Sequence, residues 1–178
     1  MNKRVLCLLV DGFEEIETVT PVDLLRRAGV EVVMASLGQG TVTGRCGIRL
    51  EADTTLDVVA PEGFDLLLIP GGPGVAALRA DGRPAALARD FSEAGKTVAA
   101  ICAAPLVLKD AGLLDGRDFT AHSATYGELP GVCSERVVID GNLITSRGAG
   151  TALDFGLALV RHLAGDAAAD EVAKAIMA

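Results

Sequence analysis

Three short, almost wholly apolar runs constrain this chain most: residues 4–10 (RVLCLLV), 64–70 (FDLLLIP) and 97–101 (TVAAI). A strand wetted on one face alternates apolar and polar residues, whereas a strand covered on both faces does not. Each run falls far short of the ~20 residues of a spanning helix. Each is followed by a turn and then by residues with helical periodicity. The pattern predicts buried strands of a mostly parallel sheet with helices packed on both sides.

The predicted helices cover roughly residues 14–28, 75–79, 84–94, 103–111, 151–164 and 167–178. Gly29, Gly95 and Gly112 are placed to end three of them. Residues 31–36 (EVVMAS) read as a further strand, and the Gly- and Thr-rich stretch 38–50 as a hairpin. Residues 119–121, 137–139 and 143–145 read as short strands, the last two joined at Asp140-Gly141. No linker or repeat interrupts this order. The expectation is one domain over residues 1–178, a flavodoxin-like three-layer α/β/α sandwich with antiparallel pieces at its edges.

Charge and cysteine usage exclude several function classes. The formal net charge is −8, which argues against a nucleic-acid backbone or an anionic membrane surface as partner. No apolar run reaches membrane-spanning length, and the opening Met1-Asn2-Lys3-Arg4 soon meets Asp11, Glu14 and Glu15, so no signal peptide is expected. Cys7, Cys46, Cys102 and Cys133 lie far apart without CxxC spacing. Free thiols in a reducing, cytoplasmic setting are expected, rather than disulfides or structural zinc. His122 and His162 stand alone, so no metal site is expected, and no cofactor motif survives inspection.

Cys102 ends one buried strand and opens the next helix. Ligands of open α/β sheets bind beyond the carboxyl ends of the strands. A thiol there faces amide donors and the positive end of a helix, which should lower its pKa. Pro105 fits the first helical turn. Placement alone leaves two readings open, an activated thiol or a small buried hydrophobe. Cys7 lies mid-strand and reads as core, Cys46 falls in the hairpin and Cys133 in a loop.

Pro70-Gly71-Gly72-Pro73-Gly74 closes another strand, either as a plain tight turn or as a source of amides for an oxyanion. Residues 72–77 also fit the dinucleotide pattern G-x-G-x-x-A. That reading is set aside because Pro73 removes an amide and the following strand ends in Cys102 rather than an acidic ribose ligand. Glu14 and Glu15 suit a helix N-terminus. Glu17 does too, or it faces the sheet edge, where burial would keep it protonated beside a thiolate. His122 follows a short strand at the same edge and could move a proton. His162 lies late in a helix, as a cap or facing solvent.

Taken together, Asp11-Gly12-Phe13-Glu14-Glu15-Ile16-Glu17-Thr18 with Pro21-Val22-Asp23, Pro70-Gly71-Gly72, Ala99-Ala100-Ile101-Cys102-Ala103-Ala104-Pro105 and Thr145-Ser146-Arg147-Gly148-Ala149-Gly150-Thr151 span nearly the whole chain. In this combination the chain resembles the ThiJ/PfpI superfamily, in the branch of the Parkinsonism-associated deglycase and its bacterial relatives. The resemblance implies a homodimer with no cofactor. It implies Cys102 as an oxidisable nucleophile, Glu17 as its protonated partner, and His122 as the nearby histidine. Gly71, Gly72 and Ala103 would line the pocket with backbone amides. The implied activity is deglycation, or glutathione-independent glyoxalase chemistry, on methylglyoxal, glyoxal or their adducts. A redox-regulated chaperone or oxidative-stress sensor using a Cys102 sulfinate is the alternative. A cysteine hydrolase or peptidase comes third, because Ala103 stands where the protease-like branch carries a histidine.

Overall fold

The structure, a computed structural model, describes residues 3–38 and 40–178. In chain order the elements are β1 (Arg4–Leu9), α1 (Glu15–Arg27), β2 (Glu31–Ser36), β3 (Thr41–Thr43), β4 (Arg49–Glu51), β5 (Thr54–Thr55) and β6 (Leu66–Ile69). They continue with α2 (Val75–Asp81), α3 (Arg83–Glu93), β7 (Thr97–Ile101), α4 (Pro105–Asp110), β8 (Val137–Asp140), β9 (Leu143–Ser146), α5 (Ala152–Ala164) and α6 (Asp166–Ala175).

Seven strands form one sheet in the order β5-β2-β1-β6-β7-β9-β8. All neighbours run parallel except β8 and β9, which form an antiparallel edge. Strand alternation sorts the core into two layers. Leu6 and Leu8 of β1 face Leu78, Leu87, Phe91 and Val107 of α2, α3 and α4. Val5 and Cys7 face Leu24 and Leu25 of α1 and Phe155 and Leu159 of α5. Both faces are therefore covered, which is why the strands read as unbroken apolar runs. The flavodoxin-like α/β expectation holds.

β3 and β4 form a separate hairpin. It is docked on the loop after β1: Gly12 N donates to Thr43 O at 2.8 Å, Arg45 N to Phe13 O at 2.8 Å, and Cys46 N to Glu15 Oε1 at 2.7 Å. Glu15 therefore holds the hairpin turn, beyond the helix-end charge effect that its position suggests.

One local expectation is corrected. Residues 119–121 form no strand, because their groups bond elsewhere. Thr120 N donates to Thr145 Oγ1 at 2.9 Å, and Phe119 O accepts from Cys133 N at 2.8 Å. His162 is exposed, as expected, and its Nε2 also lies 2.7 Å from Thr97 Oγ1.

Candidate active site

The sheet reverses strand order between β1 and β6, the position where open α/β sheets bind ligands. Four segments meet at or beside this edge: residues 10–14, 70–74, 102–104 and 147–151. Glu14 N donates to Gly71 O at 3.0 Å, and Gly74 N donates to Gly12 O at 3.0 Å, so the first two are laced together. A Cβ on Gly72 would lie 2.5 Å from Gly12 O, and one on Gly74 would lie 2.5 Å from Asp11 O. The glycines of the dinucleotide-like pattern are thus used to pack against the chain itself.

Cys102 follows β7 directly with φ 66°, a left-handed conformation that costs a residue with a Cβ roughly 1–2 kcal/mol. The surrounding backbone enforces it. Cys102 N donates to Ser146 O at 2.9 Å, and its carbonyl accepts from His122 N at 2.9 Å. The residue is half-buried. The amides of Gly72 and Ala103 donate to its sulfur. Of the three amides expected here, Gly71 is committed differently, donating to Glu17 Oε2 at 3.1 Å.

Glu17 lies in the first turn of α1 and is only 1% exposed, while its neighbour Ile16 is 52% exposed. That inversion places a carboxyl against the sheet and an aliphatic side chain outside. Glu14 caps the helix by accepting Glu17 N at 2.7 Å. The Glu17 carboxyl hydrogen-bonds the Cys102 thiol and the amides of Gly71 and Ala149. A Cβ on Gly71 would lie 2.4 Å from Glu17 Oε2 and 2.6 Å from Cys102 Cβ, so only glycine permits this approach.

Burial pushes the Glu17 carboxyl up to about 7, against the pull of the Cys102 thiol and the two amides. Burial also pushes the Cys102 thiol up to about 12, helped by the Glu17 charge and opposed by the Gly72 and Ala103 amides. The expectation of a thiol acidified by its donors is thereby corrected. The helix begins only at Pro105 and spans six residues, so its dipole adds little. Desolvation and the neighbouring carboxylate outweigh two amides. A proton on Glu17 moves this balance towards the thiolate, because it removes the opposing charge and supplies an O–H donor to the sulfur, while the desolvation remains.

His122 sits in the loop that replaces the expected strand. Its Nδ1 accepts Ala124 N at 3.2 Å, which assigns the proton of the neutral ring to Nε2. A Cβ on Gly148 would lie 3.4 Å from His122 Cδ2 and 3.6 Å from Glu17 Oε1. Gly148 therefore separates the Glu17–Cys102 pair from a cleft of about 410 Å³ lined by His122, Tyr126, Arg136, Arg147 and residues 148–151.

A family model described as DJ-1/PfpI matches residues 3–162. The chain belongs to the DJ-1/PfpI family. It is 39% identical to protein dj-1beta of Drosophila melanogaster over 184 residues, covering 99% of this chain and 98% of that one. It is 37% identical to a deglycase of Pyrococcus horikoshii over 148 residues, covering 81% and 89%. Among solved structures, Drosophila DJ-1beta superposes with a TM-score of 0.93 at 38% identity, covering 99% and 98%. An oxidised DJ-1 of Toxoplasma gondii gives 0.93 at 34% identity, covering 98% of each chain. Deglycase names recur among these DJ-1/PfpI relatives.

The sequence reading brought together Cys102, Glu17, His122, Gly71, Gly72 and Ala103, and the fold gathers all six at this edge. It missed Arg136, Arg147 and Tyr126 as cleft residues, and Ala149 as a donor to Glu17. The available signal was that residues 147–150 follow a strand. That β9 pairs with β7 is a matter of sheet order, which sequence spacing does not reveal. The four cysteines are free thiols, with Cys7 buried and Cys46 exposed. Among the described residues no helix is long and apolar enough to cross a membrane.

Proposed function

We propose that this protein is a cofactor-independent deglycase and glyoxalase acting on methylglyoxal, glyoxal or their adducts through Cys102. The observation that carries this reading is the Glu17–Cys102 pair, a buried carboxyl held against a half-buried thiol, where burial pushes the carboxyl up to about 7. A group poised near neutrality both takes and returns protons. The Cys102 proton passes to Glu17 as sulfur attacks the aldehyde carbon, giving a hemithioacetal. The Gly72 and Ala103 amides beside the sulfur stabilise the new oxyanion. Glu17 returns that proton to the oxyanion. Then, as carboxylate and assisted by the Nε2–H of His122, it moves a proton from the hemithioacetal carbon to its neighbour, while the hydroxyl proton passes to the neighbouring oxygen and a lactoyl thioester forms. Water cleaves it to lactate and restores the thiol.

The reading also includes a homodimer and a cytoplasmic setting. Ile16 and Val19 on α1 and Ile48 on the hairpin are 52%, 45% and 54% exposed, and Ile48 N meets Glu15 Oε1 at 3.4 Å. One apolar patch at the mouth of α1 supports self-association.

The deciding experiment is lactate formation from methylglyoxal without glutathione, comparing wild type with Cys102→Ser. Loss of at least about a hundredfold is expected for a missing nucleophile, and full activity in Cys102→Ser would end the proposal. The same donors favour a second reading, a Cys102 sulfinate held by Glu17 as an oxidation signal. Intact-mass analysis after mild peroxide should then show two added oxygens on Cys102. The hydrolase reading has less support, because among the described residues no histidine ring hydrogen-bonds the sulfur.

A further inference from the structure

We propose that the cleft beside Cys102 receives substrates whose far end carries an anion, a carboxylate or a phosphate, and that Arg147 is the residue that docks it. The proposal rests on the reading of Cys102 as the reacting thiol and specifies what that thiol acts on.

The lining carries the argument. Two arginines, a histidine and a tyrosine surround the cleft, and no acidic residue does. This is unusual for a chain with 24 acidic and 16 basic residues. The two arginines differ in their partners. Arg136 is neutralised by Asp154, with its Nη2 at 2.6 Å from Oδ2, and it also donates to Gly150 O. Arg147 has no carboxylate within ion-pair distance among the described residues. Among the described residues its guanidinium donates one hydrogen bond, Nη1 to Ser134 O at 3.3 Å. Elsewhere Arg79, Arg83 and Arg117 each hold a carboxylate, and the arginines that share Arg147's lack of an ion pair among the described residues, Arg45, Arg49 and Arg89, do not line the cleft. An arginine left unpaired at a cleft wall keeps its planar fork of donors for an incoming carboxylate or phosphate.

Position and size agree. Arg147 directly precedes Gly148, the residue shared by the cleft and Glu17. His122, whose backbone is bonded to the Cys102 carbonyl, forms another part of the wall. Through Gly148 and His122 the cleft adjoins the Cys102 turn, so in this proposal the tail of a molecule held at the sulfur extends past Gly148 into it. At about 410 Å³ the space falls in the usual range for ligand sites. It is generous for free methylglyoxal and suited to an adduct with an acidic tail. Tyr126, 46% exposed, adds a hydroxyl at the rim.

Two measurements test this. The first is Cys102 alkylation by iodoacetate against iodoacetamide in a Cys46→Ser/Cys133→Ser background, with Cys7 buried, followed by peptide mass on the Cys102 fragment. Both reagents meet the same thiol, so the ratio of rates cancels its ionisation and isolates the charge of the reagent. Arg147→Met should lower the iodoacetate/iodoacetamide ratio by about fivefold or more, and Arg147→Lys should recover part of it. A ratio unchanged in Arg147→Met overturns the proposal. The second is turnover of methylglyoxal adducts of matched thiols: N-acetylcysteine against its amide, and phosphopantetheine against pantetheine. A wild-type preference for the charged member, expressed mainly in KM and lost in Arg147→Met, supports the site. The pair that shows it identifies carboxylate or phosphate as the recognised group. Equal turnover within both pairs overturns the proposal. If no adduct or free dicarbonyl is converted, the enzymatic reading fails, and the alkylation ratio alone still decides the anion site.

Discussion

Glu17→Gln isolates the most costly group in the molecule. Glutamine keeps the length and a hydrogen-bonding head while removing the titration. In the fold the carboxyl ionises at about 7, against an ordinary 4.5. Ionising it in place therefore costs about 3 kcal/mol more than in the unfolded chain. The side chain is 1% exposed, so solvent screening does not reduce this figure much. The sign follows from which state holds the proton longer. Below the ordinary value both folded and unfolded chains are protonated and no penalty exists. As pH rises towards 7 the unfolded chain loses its proton first, and the wild type is progressively destabilised. Urea denaturation of wild type and Glu17→Gln at about pH 5 and about pH 8 measures the difference. The variant should gain on wild type by roughly 2–3 kcal/mol between those conditions. Repeating the pair in a Cys102→Ser background excludes a thiolate as the titrating group. A stability gap that does not move with pH would refute the claim that Glu17 is buried at this cost.

Other substitutions test the geometry itself. Gly71→Ala places a methyl 2.4 Å from Glu17 Oε2 and 2.6 Å from Cys102 Cβ. It should cost about 1–3 kcal/mol in urea denaturation and remove most lactate formation, because the carboxyl and sulfur must separate. Wild-type behaviour would mean that the pair is not so closely opposed. At Cys102, whose φ is 66°, glycine should be better tolerated than alanine. Cys102→Gly should unfold about 1 kcal/mol later than Cys102→Ala, and the reverse order would reject the left-handed backbone.

Much of the fold was legible because its strands are doubly covered. Val5 to Leu9 are all buried, so the run in β1 carries no polar interruption to confuse the reading. The same applies to β6 and β7. Residues 119–121 misled because they are apolar and extended, yet their hydrogen bonds go to Thr145 Oγ1 and Cys133 N, which no periodicity reports. Thr54–Thr55, a strand of two residues beside β2, is too short to leave a pattern. At the site, Cys102 stood out from its place between strand and helix. The inward turn of Glu17 was legible only as one of two choices, since a first-turn glutamate either serves the helix end or faces the sheet edge. Its role required knowing that α1 starts over the β1–β6 reversal. The thiol's ionisation was misjudged because amide donors can be counted along a chain, while the carboxylate 85 positions away that opposes them cannot be placed without the fold.

The amide of Cys102 continues the β7–β9 ladder to Ser146 O after the strand has ended. The Cys102 sulfur is thus aimed by the sheet itself rather than by a mobile loop. Alignment between sulfur and carboxyl is inherited from a buried central strand, the kind of element that opens last. Thermal softening should reach the hairpin and the 111–136 region well before it disturbs that alignment. Variation in those outer segments can then alter which molecules enter while the chemistry at the centre stays in register.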